Sequence, residues 1–226
     1  MKVLIAEDDV LIREGLIDIF EDEGYEIAEA ANGREALELY SSEKPDFICL
    51  DIMMPEINGY EVCKEIRKTN PDIPIIFLSA KSQEEDKLQG FDLGADDYIT
   101  KPFGIKEVIA RVRAVTRRCL KKSSTSNECF KMAKISVNPK GLTCTRNEEI
   151  IELGLRDIKI LQYLHSHANE AISRQQLFQS CWGMEFMGNT RSIDQKISQL
   201  RKLIEDNPQE PKIIQTAHGV GYIYKD

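Results

Sequence analysis

The sequence has no run of about 18 consecutive apolar residues, which excludes a transmembrane helix. Its first apolar run, Val3–Ala6, ends in Glu7, Asp8 and Asp9, so neither a signal peptide nor an anchor is expected. None of the six cysteines (Cys49, Cys63, Cys119, Cys129, Cys144 and Cys181) forms a C-x-x-C pair. That argues against a zinc site or a disulfide framework and fits a reduced compartment. No G-x-x-x-x-G-K-S/T segment is present, which disfavours a P-loop nucleotidase. There is no internal repeat and no long low-complexity tract. The expectation is a cytoplasmic protein without a membrane partner.

What is present points to two modules. At 226 residues the chain suits one large or two small domains, and a hydrophobic fraction of 42% supports ordinary cores. The net charge of −8 is unevenly spread. Residues 1–118 carry 15 Lys+Arg against 26 Asp+Glu, a net of −11, and residues 119–226 carry 15 against 12, a net of +3. An acidic half suits a cation and a mildly basic half suits a polyanion.

In the first half, short apolar runs alternate with helical patterns. The runs are Val3–Ala6, Glu26–Ala30, Phe47–Leu50, Ile73–Leu78 and Tyr98–Ile99. Between and after them, apolar residues recur at helical spacing: Ile12, Leu16, Ile19 and Phe20; Ala36, Leu37 and Tyr40; Val62 and Ile66; Leu88, Phe91 and Leu93; Val108, Ile109, Val112 and Val115. Five β–α pairs in a row predict an α/β fold, a parallel sheet with helices on both faces. From Lys121 the text KKSSTSNE is polar and aperiodic and reads as a linker. Short alternating stretches follow at Phe130–Met132, Ile135–Val137, Leu142–Thr145 and Ile150–Leu153. Then come three helical patterns and a terminal hairpin turning at Gly219-Val220-Gly221. This order predicts an α+β winged helix-turn-helix.

In an open parallel sheet, ligands bind at the carboxyl ends of the strands, near the switch in strand order. Glu7, Asp8 and Asp9 end the first run, Asp51 the third and Ser79 the fourth, and Lys101-Pro102 follows the fifth. Converging carboxylates repel unless a cation joins them, and an all-oxygen set suits Mg²⁺. One carboxylate is then left to attack phosphorus and form an aspartyl phosphate. A lysine and a hydroxyl neutralise and bond the transferring oxygens.

The motifs AEDD at 6–9, LDIMMPEINGYE at 50–61, LSAK at 78–81 and GADDYITKPF at 94–103, with TRSIDQKISQLRK in the second half, resemble a two-component response regulator of the OmpR/PhoB family. The resemblance covers almost the whole chain. It implies a flavodoxin-like, doubly wound receiver at 1–119, a linker at 120–128 and a winged helix-turn-helix DNA-binding domain at 129–226. It also implies that Asp51 is the phosphoacceptor, and that Glu7, Asp8, Asp51 and the Met53 carbonyl hold Mg²⁺. Lys101 then contacts the phosphoryl group across a cis bond to Pro102, and Ser79 and Tyr98 form a switch pair. A dimer face on the fourth helix, fifth strand and fifth helix is implied as well, with cross-axis pairs Lys87–Glu107, Asp97–Arg111 and Asp96–Arg118.

For DNA, the resemblance makes residues 188–208 the recognition helix, with Arg191, Lys196, Gln199 and Lys202 facing outward. Arg201 goes to phosphate or to an acid of the core. Gly219, Gly221 and Tyr222 belong to a wing that reaches the minor groove. Two positions depart from the pattern: Gly154 stands where a threonine usually caps the first helix, and His218 where an arginine usually precedes the wing glycines. The implied partners are a sensor histidine kinase, double-stranded promoter DNA, RNA polymerase through residues 184–189, and a second copy of the chain. The expectation is a transcription factor and not an enzyme, apart from slow loss of its own phosphoryl group. An aspartyl-phosphate phosphatase is disfavoured, because those enzymes typically carry a second acid two residues after the nucleophile, where this chain has Met53. The alternative is a regulator that dimerises constitutively, without phosphate.

Overall fold

The computed structural model describes residues 1–80, 90, 92–122, 128–182 and 191–226, with backbone alone for residues 121, 122 and 191. It divides into two compact units, Met1–Lys122 and Ser123–Asp226. Among the described residues no helix is long and apolar enough to cross a membrane.

Unit 1 holds β1 (Lys2–Ala6), α1 (Val10–Glu23), β2 (Glu26–Ala30), α2 (Gly33–Glu43), β3 (Phe47–Asp51), α3 (Gly59–Thr69), β4 (Ile75–Ser79), β5 (Asp97–Thr100) and α4 (Ile105–Lys122). The strands form one sheet in the order β2-β1-β3-β4-β5, with every pair parallel. This is the flavodoxin-like order, whose switch point lies between β1 and β3. Residues of β3 and β4 are buried on both faces, so their sequences read as continuous apolar runs. Leu4, Ile48, Leu50 and Phe77 face Val62, Ile66 and the α2–α3 side. On the other side the rings of Phe20, Tyr25 and Phe47 meet edge to face or tilted, with centroids 5.6–6.1 Å apart.

Local chemistry sets the element ends. The Asp9 carboxylate accepts from the Leu11 and Ile12 N–H groups and caps α1. Asn58 and Glu61 form a reciprocal capping box on α3. β4 starts at Ile75, two residues later than the apolar run suggests. Pro74 has no N–H to give, and the Asn70 side chain holds the Asp72 and Ile73 N–H groups in a turn. α4 continues to Lys122, past the expected domain end at residue 119. The helical pattern at Leu88 and Phe91 falls outside the described residues.

Unit 2 opens with an antiparallel meander, β6 (Phe130–Met132), β7 (Ile135–Asn138), β8 (Thr143–Arg146) and β9 (Glu149–Glu152), paired in that order. Three helices follow: α5 (Leu155–Ser166), α6 (Arg174–Trp182) and α7 (Arg191–Ile204). The terminal hairpin pairs β11 (Gln215–Ala217) with β12 (Gly221–Ile223), and β12 also pairs with β10 (Ile172–Ser173). Two residues are too few to show a period, which is why β10 is not visible in the sequence pattern. This is the α+β arrangement of a winged helix-turn-helix. At the head of α5 the Asp157 carboxylate accepts the Gly154 N–H at 2.8 Å; the glycine has no side chain with which to reciprocate.

Candidate functional site

The sheet order brings the carboxyl ends of β1, β3, β4 and β5 to one edge. Carboxylate oxygens of Glu7, Asp8 and Asp51 lie within 4.8 Å of one another. Glu7 is fully buried, Asp51 is 2% exposed, and Asp8 is open to solvent. Lys101 donates to Glu7 Oε1 at 2.8 Å and to Asp51 Oδ2 at 3.0 Å. Its Nζ also lies 2.6 Å from Glu7 Oε2, an ion pair outside hydrogen-bonding geometry. The Met53 N–H donates to Asp51 Oδ1 at 3.3 Å, placing the Met53 main chain beside the acid. The Lys101–Pro102 peptide is cis.

Electrostatics follow from this crowding. Burial first, and then the neighbouring Asp51 charge, push the Glu7 carboxyl up to about 7, against the pull of Lys101. Burial alone would lower Lys101; its bonds to Glu7 and Asp51 outweigh that and raise it. One ammonium among three carboxylates leaves the cluster acidic. An all-oxygen donor set with net negative charge fits a hard divalent cation such as Mg²⁺. Asp9, the third acid of the run, is committed to the α1 cap.

Ser79 is fully buried at the end of β4. The Tyr98 ring is 5% exposed and lies 6.4 Å from the Phe77 ring, edge to face, so it already occupies the interior. Gly59 closes the pocket from behind. A Cβ there would run into the Asp51 carbonyl oxygen and the Ile52 Cα. Gly59→Ala is therefore expected to cost about 1–3 kcal/mol, as overpacking does. Urea unfolding checks this; an unchanged midpoint would show that β3 absorbs the extra methyl without strain.

The charges assigned to a dimer face pair within one chain. Arg111 bonds Asp97 at 2.8 Å and Glu107 at 3.0 Å. Asp96 contacts Arg118 at 3.5 Å and Arg67 at 3.4 Å, and it accepts the Ile75 N–H at 3.0 Å. Arg67 was not visible as a competitor because it arrives from α3. Lys87 lies outside the described residues.

In unit 2 the DNA-facing assignments need correction. Lys196 is not an outward cation: its side chain is 15% exposed and pairs with Asp157, 3% exposed, at 3.1 Å. Arg201 donates to the Ile214 carbonyl at 2.9 Å and to Thr216 Oγ1 at 3.0 Å, and it lies over the Tyr222 ring. It holds the hairpin onto α7. Tyr222 is 4% exposed, and its hydroxyl donates to Asp194, which also pairs with Arg174 at 2.8 Å. Tyr222 is thus a core anchor of the hairpin. Gly221 is buried, and a Cβ there would strike the Ile172 carbonyl. Its role is close packing of β12 on β10. Gly219, at φ +75°, His218 and Val220 form the exposed hairpin tip. Gln199 and Lys202 are exposed on α7, and so are Gln195 and Ser198, which the sequence reading passed over. The Arg191 side chain and residues 184–189 lie outside the described residues.

Comparison with known proteins matches residues 3–113 to the response regulator receiver domain. Residues 147–224 match the C-terminal domain of transcriptional regulatory proteins. Among solved structures, the receiver domain of the Francisella response regulator 1452 is 42% identical, with a TM-score of 0.50; the match covers 52% of this chain and 97% of that one. A CheY-like receiver domain protein from Methanospirillum hungatei is 27% identical with a TM-score of 0.52, covering 54% of this chain and 98% of that one. The response regulator DrrB, an OmpR/PhoB homologue from Thermotoga maritima, is 28% identical with a TM-score of 0.45, covering 100% of this chain and 99% of that one.

Proposed function

The chain belongs to the response regulators of the OmpR/PhoB family, a receiver followed by a transcriptional regulatory domain, and on that premise we propose that it is a phosphorylation-controlled, DNA-binding transcription factor of the cytoplasm. The observation that carries the proposal is Asp51, nearly buried at the end of β3 with one oxygen on Lys101 at 3.0 Å and two further carboxylates beside it.

In the proposed step a carboxylate oxygen of Asp51 attacks the phosphorus of a phosphohistidine on a sensor histidine kinase. An O–P bond forms, the P–N bond breaks, and the imidazole leaves as the neutral ring, keeping the proton already on its other nitrogen. Glu7, Asp8 and Asp51, with the Met53 carbonyl, would hold Mg²⁺, which supplies charge neutralisation at the phosphoryl oxygens. Lys101, already aimed at the Asp51 carboxylate, takes over a phosphoryl oxygen. The Ser79 hydroxyl bonds another, and the Tyr98 ring keeps the space behind it closed. Beyond slow loss of this phosphoryl group, no turnover is assigned to the chain.

Dimerisation is the proposed output. Arg111 and Arg118 are engaged within the chain, so cross-axis pairing exchanges one partner for another. Exposed pairs are worth about 0–1 kcal/mol each, whereas inverting a 1:99 equilibrium takes about 5.5 kcal/mol. The pairs therefore set register, and the bulk of the shift comes from the phosphoryl group and from packing. Two winged helices then meet adjacent half-sites of promoter DNA, with RNA polymerase as the further partner.

The test is intact-protein mass with light scattering on the same samples, after incubation with Mg²⁺ and a small phosphodonor. Wild type should gain one phosphoryl group and shift from monomer to dimer, and Asp51→Ala should do neither. A wild type that stays unmodified, or is dimeric before donor is added, overturns the gating and leaves the constitutive regulator.

A further inference from the structure

The base preference of the DNA half-site is written on α7, given the DNA-binding reading above. The helix buries Ile193, Ile197, Leu200 and Ile204 completely. At about 100° per residue, the direction opposite that stripe falls between Gln195 and Lys202, with Ser198 and Gln199 about 50° to either side; Arg191, whose side chain is not described, lies about 30° from it. Gln195, Ser198, Gln199 and Lys202 are exposed. The cations flanking them are committed inward, Lys196 to Asp157 at 3.1 Å and Arg201 to the Ile214 carbonyl at 2.9 Å. Among the described side chains neither glutamine makes a hydrogen bond, and Lys202 is the one exposed cation on the helix. Among the described side chains that face is thus built on two amides and the Ser198 hydroxyl, with a single charge, Lys202, toward its C-terminal end.

An amide presents a donor and an acceptor in one plane. In the major groove that pattern matches adenine, whose N6 amino group donates and whose N7 accepts. Guanine presents two acceptors there, which suit arginine or lysine. Four residues advance about 6 Å along a helix, close to two base steps of about 3.4 Å. We infer that Gln195 and Gln199 are base-reading residues and that the half-site carries adenines about two steps apart at the positions facing them. Lys202 holds phosphate and supplies affinity without sequence preference.

The test uses the full chain with Mg²⁺ and acetyl phosphate, mixed with a pool of randomised duplexes. Retained duplexes are counted and sequenced. Wild type should enrich adenine at two positions about two steps apart. Gln199→Arg should convert one of them to guanine, and Gln195→Ala should relax the other, with discrimination falling roughly 5- to 150-fold. Thermal melting of both variants, read by Trp182 fluorescence, confirms that unit 2 is folded. A wild-type motif with guanine–cytosine pairs at these positions, or a motif that both variants leave unchanged, overturns the inference and keeps the DNA-binding reading. Retention of the pool with no enriched motif does the same. No retention at all overturns the DNA-binding reading and the inference with it.

Discussion

Lys101→Met should lower the stability of the receiver unit by about 3 kcal/mol at pH 8 in the absence of Mg²⁺. Methionine keeps the length of the side chain and deletes its charge. Glu7 and Asp51, 0% and 2% exposed, would then face each other with no ammonium between them. Removing one partner of a buried pair costs roughly 3–5 kcal/mol. Lys101 is 15% exposed, which places this case at the low end. Folded domains have only about 5–15 kcal/mol in hand.

The pH dependence follows from Glu7. Its carboxyl sits at about 7 in the folded protein, above the ordinary 4.5, with burial as the main cause and Asp51 adding to it. A raised carboxylate means that ionisation opposes folding. The penalty is absent below about 4.5, grows as pH rises, and is complete above the folded value. Deleting Lys101 removes the group that pulls Glu7 down, so the variant should approach wild type near pH 5 and diverge from it through pH 7. Saturating Mg²⁺ should restore most of the loss by replacing the missing cation. The sole tryptophan, Trp182, is in unit 2, so unit 1 is best followed by hydrogen exchange on β3 peptides across a urea series. A loss independent of both pH and Mg²⁺ would show that Lys101 contributes packing and not charge.

Glu205→Ala should be the most damaging single truncation at the end of α7. Glu205 is 4% exposed and accepts three backbone N–H groups: Lys212 at 3.0 Å, Ile213 at 2.9 Å and Ile214 at 2.9 Å. The segment it holds leads directly into β11. Alanine would orphan the donors of Ile213 and Ile214, both buried, while Lys212 remains open to water. At about 1–3 kcal/mol for each buried donor left unmatched, the expected loss is about 3 kcal/mol. For a unit of this size that is a fall in melting temperature of more than about 10 °C. Trp182 fluorescence reads this transition selectively. Glu205→Gln keeps one acceptor oxygen and should fall between the two. If Glu205→Ala melts like wild type, water reaches the 212–214 backbone and the cage is not a stability element.

How much of this was legible in the sequence differs between the units. In the receiver, β3 and β4 are buried on both faces and announce themselves as apolar runs, and the parallel topology sends every strand's carboxyl end to one edge. Glu7, Asp8, Asp51, Ser79 and Lys101 could therefore be brought to one edge from sequence position alone. In unit 2 the period of 3.6 located α7 and its buried stripe. Periodicity gives the direction of a side chain but not what waits there. Lys196 and Arg201 sit on the flanks of the stripe, and their partners, Asp157, Ile214 and Thr216, arrive from other elements.

The sequence by itself determined the two units, the strand-end pocket and the identity of its acids, because those depend on local burial pattern and on the handed topology of parallel sheets. Only the tertiary structure decided that Arg111 and Asp97 pair within one chain, that Tyr222 is an anchor, and that α7 turns amides outward. Each of these rests on a contact between residues distant in sequence, and whether a charge is committed inward or left for a partner depends on which group the fold places beside it.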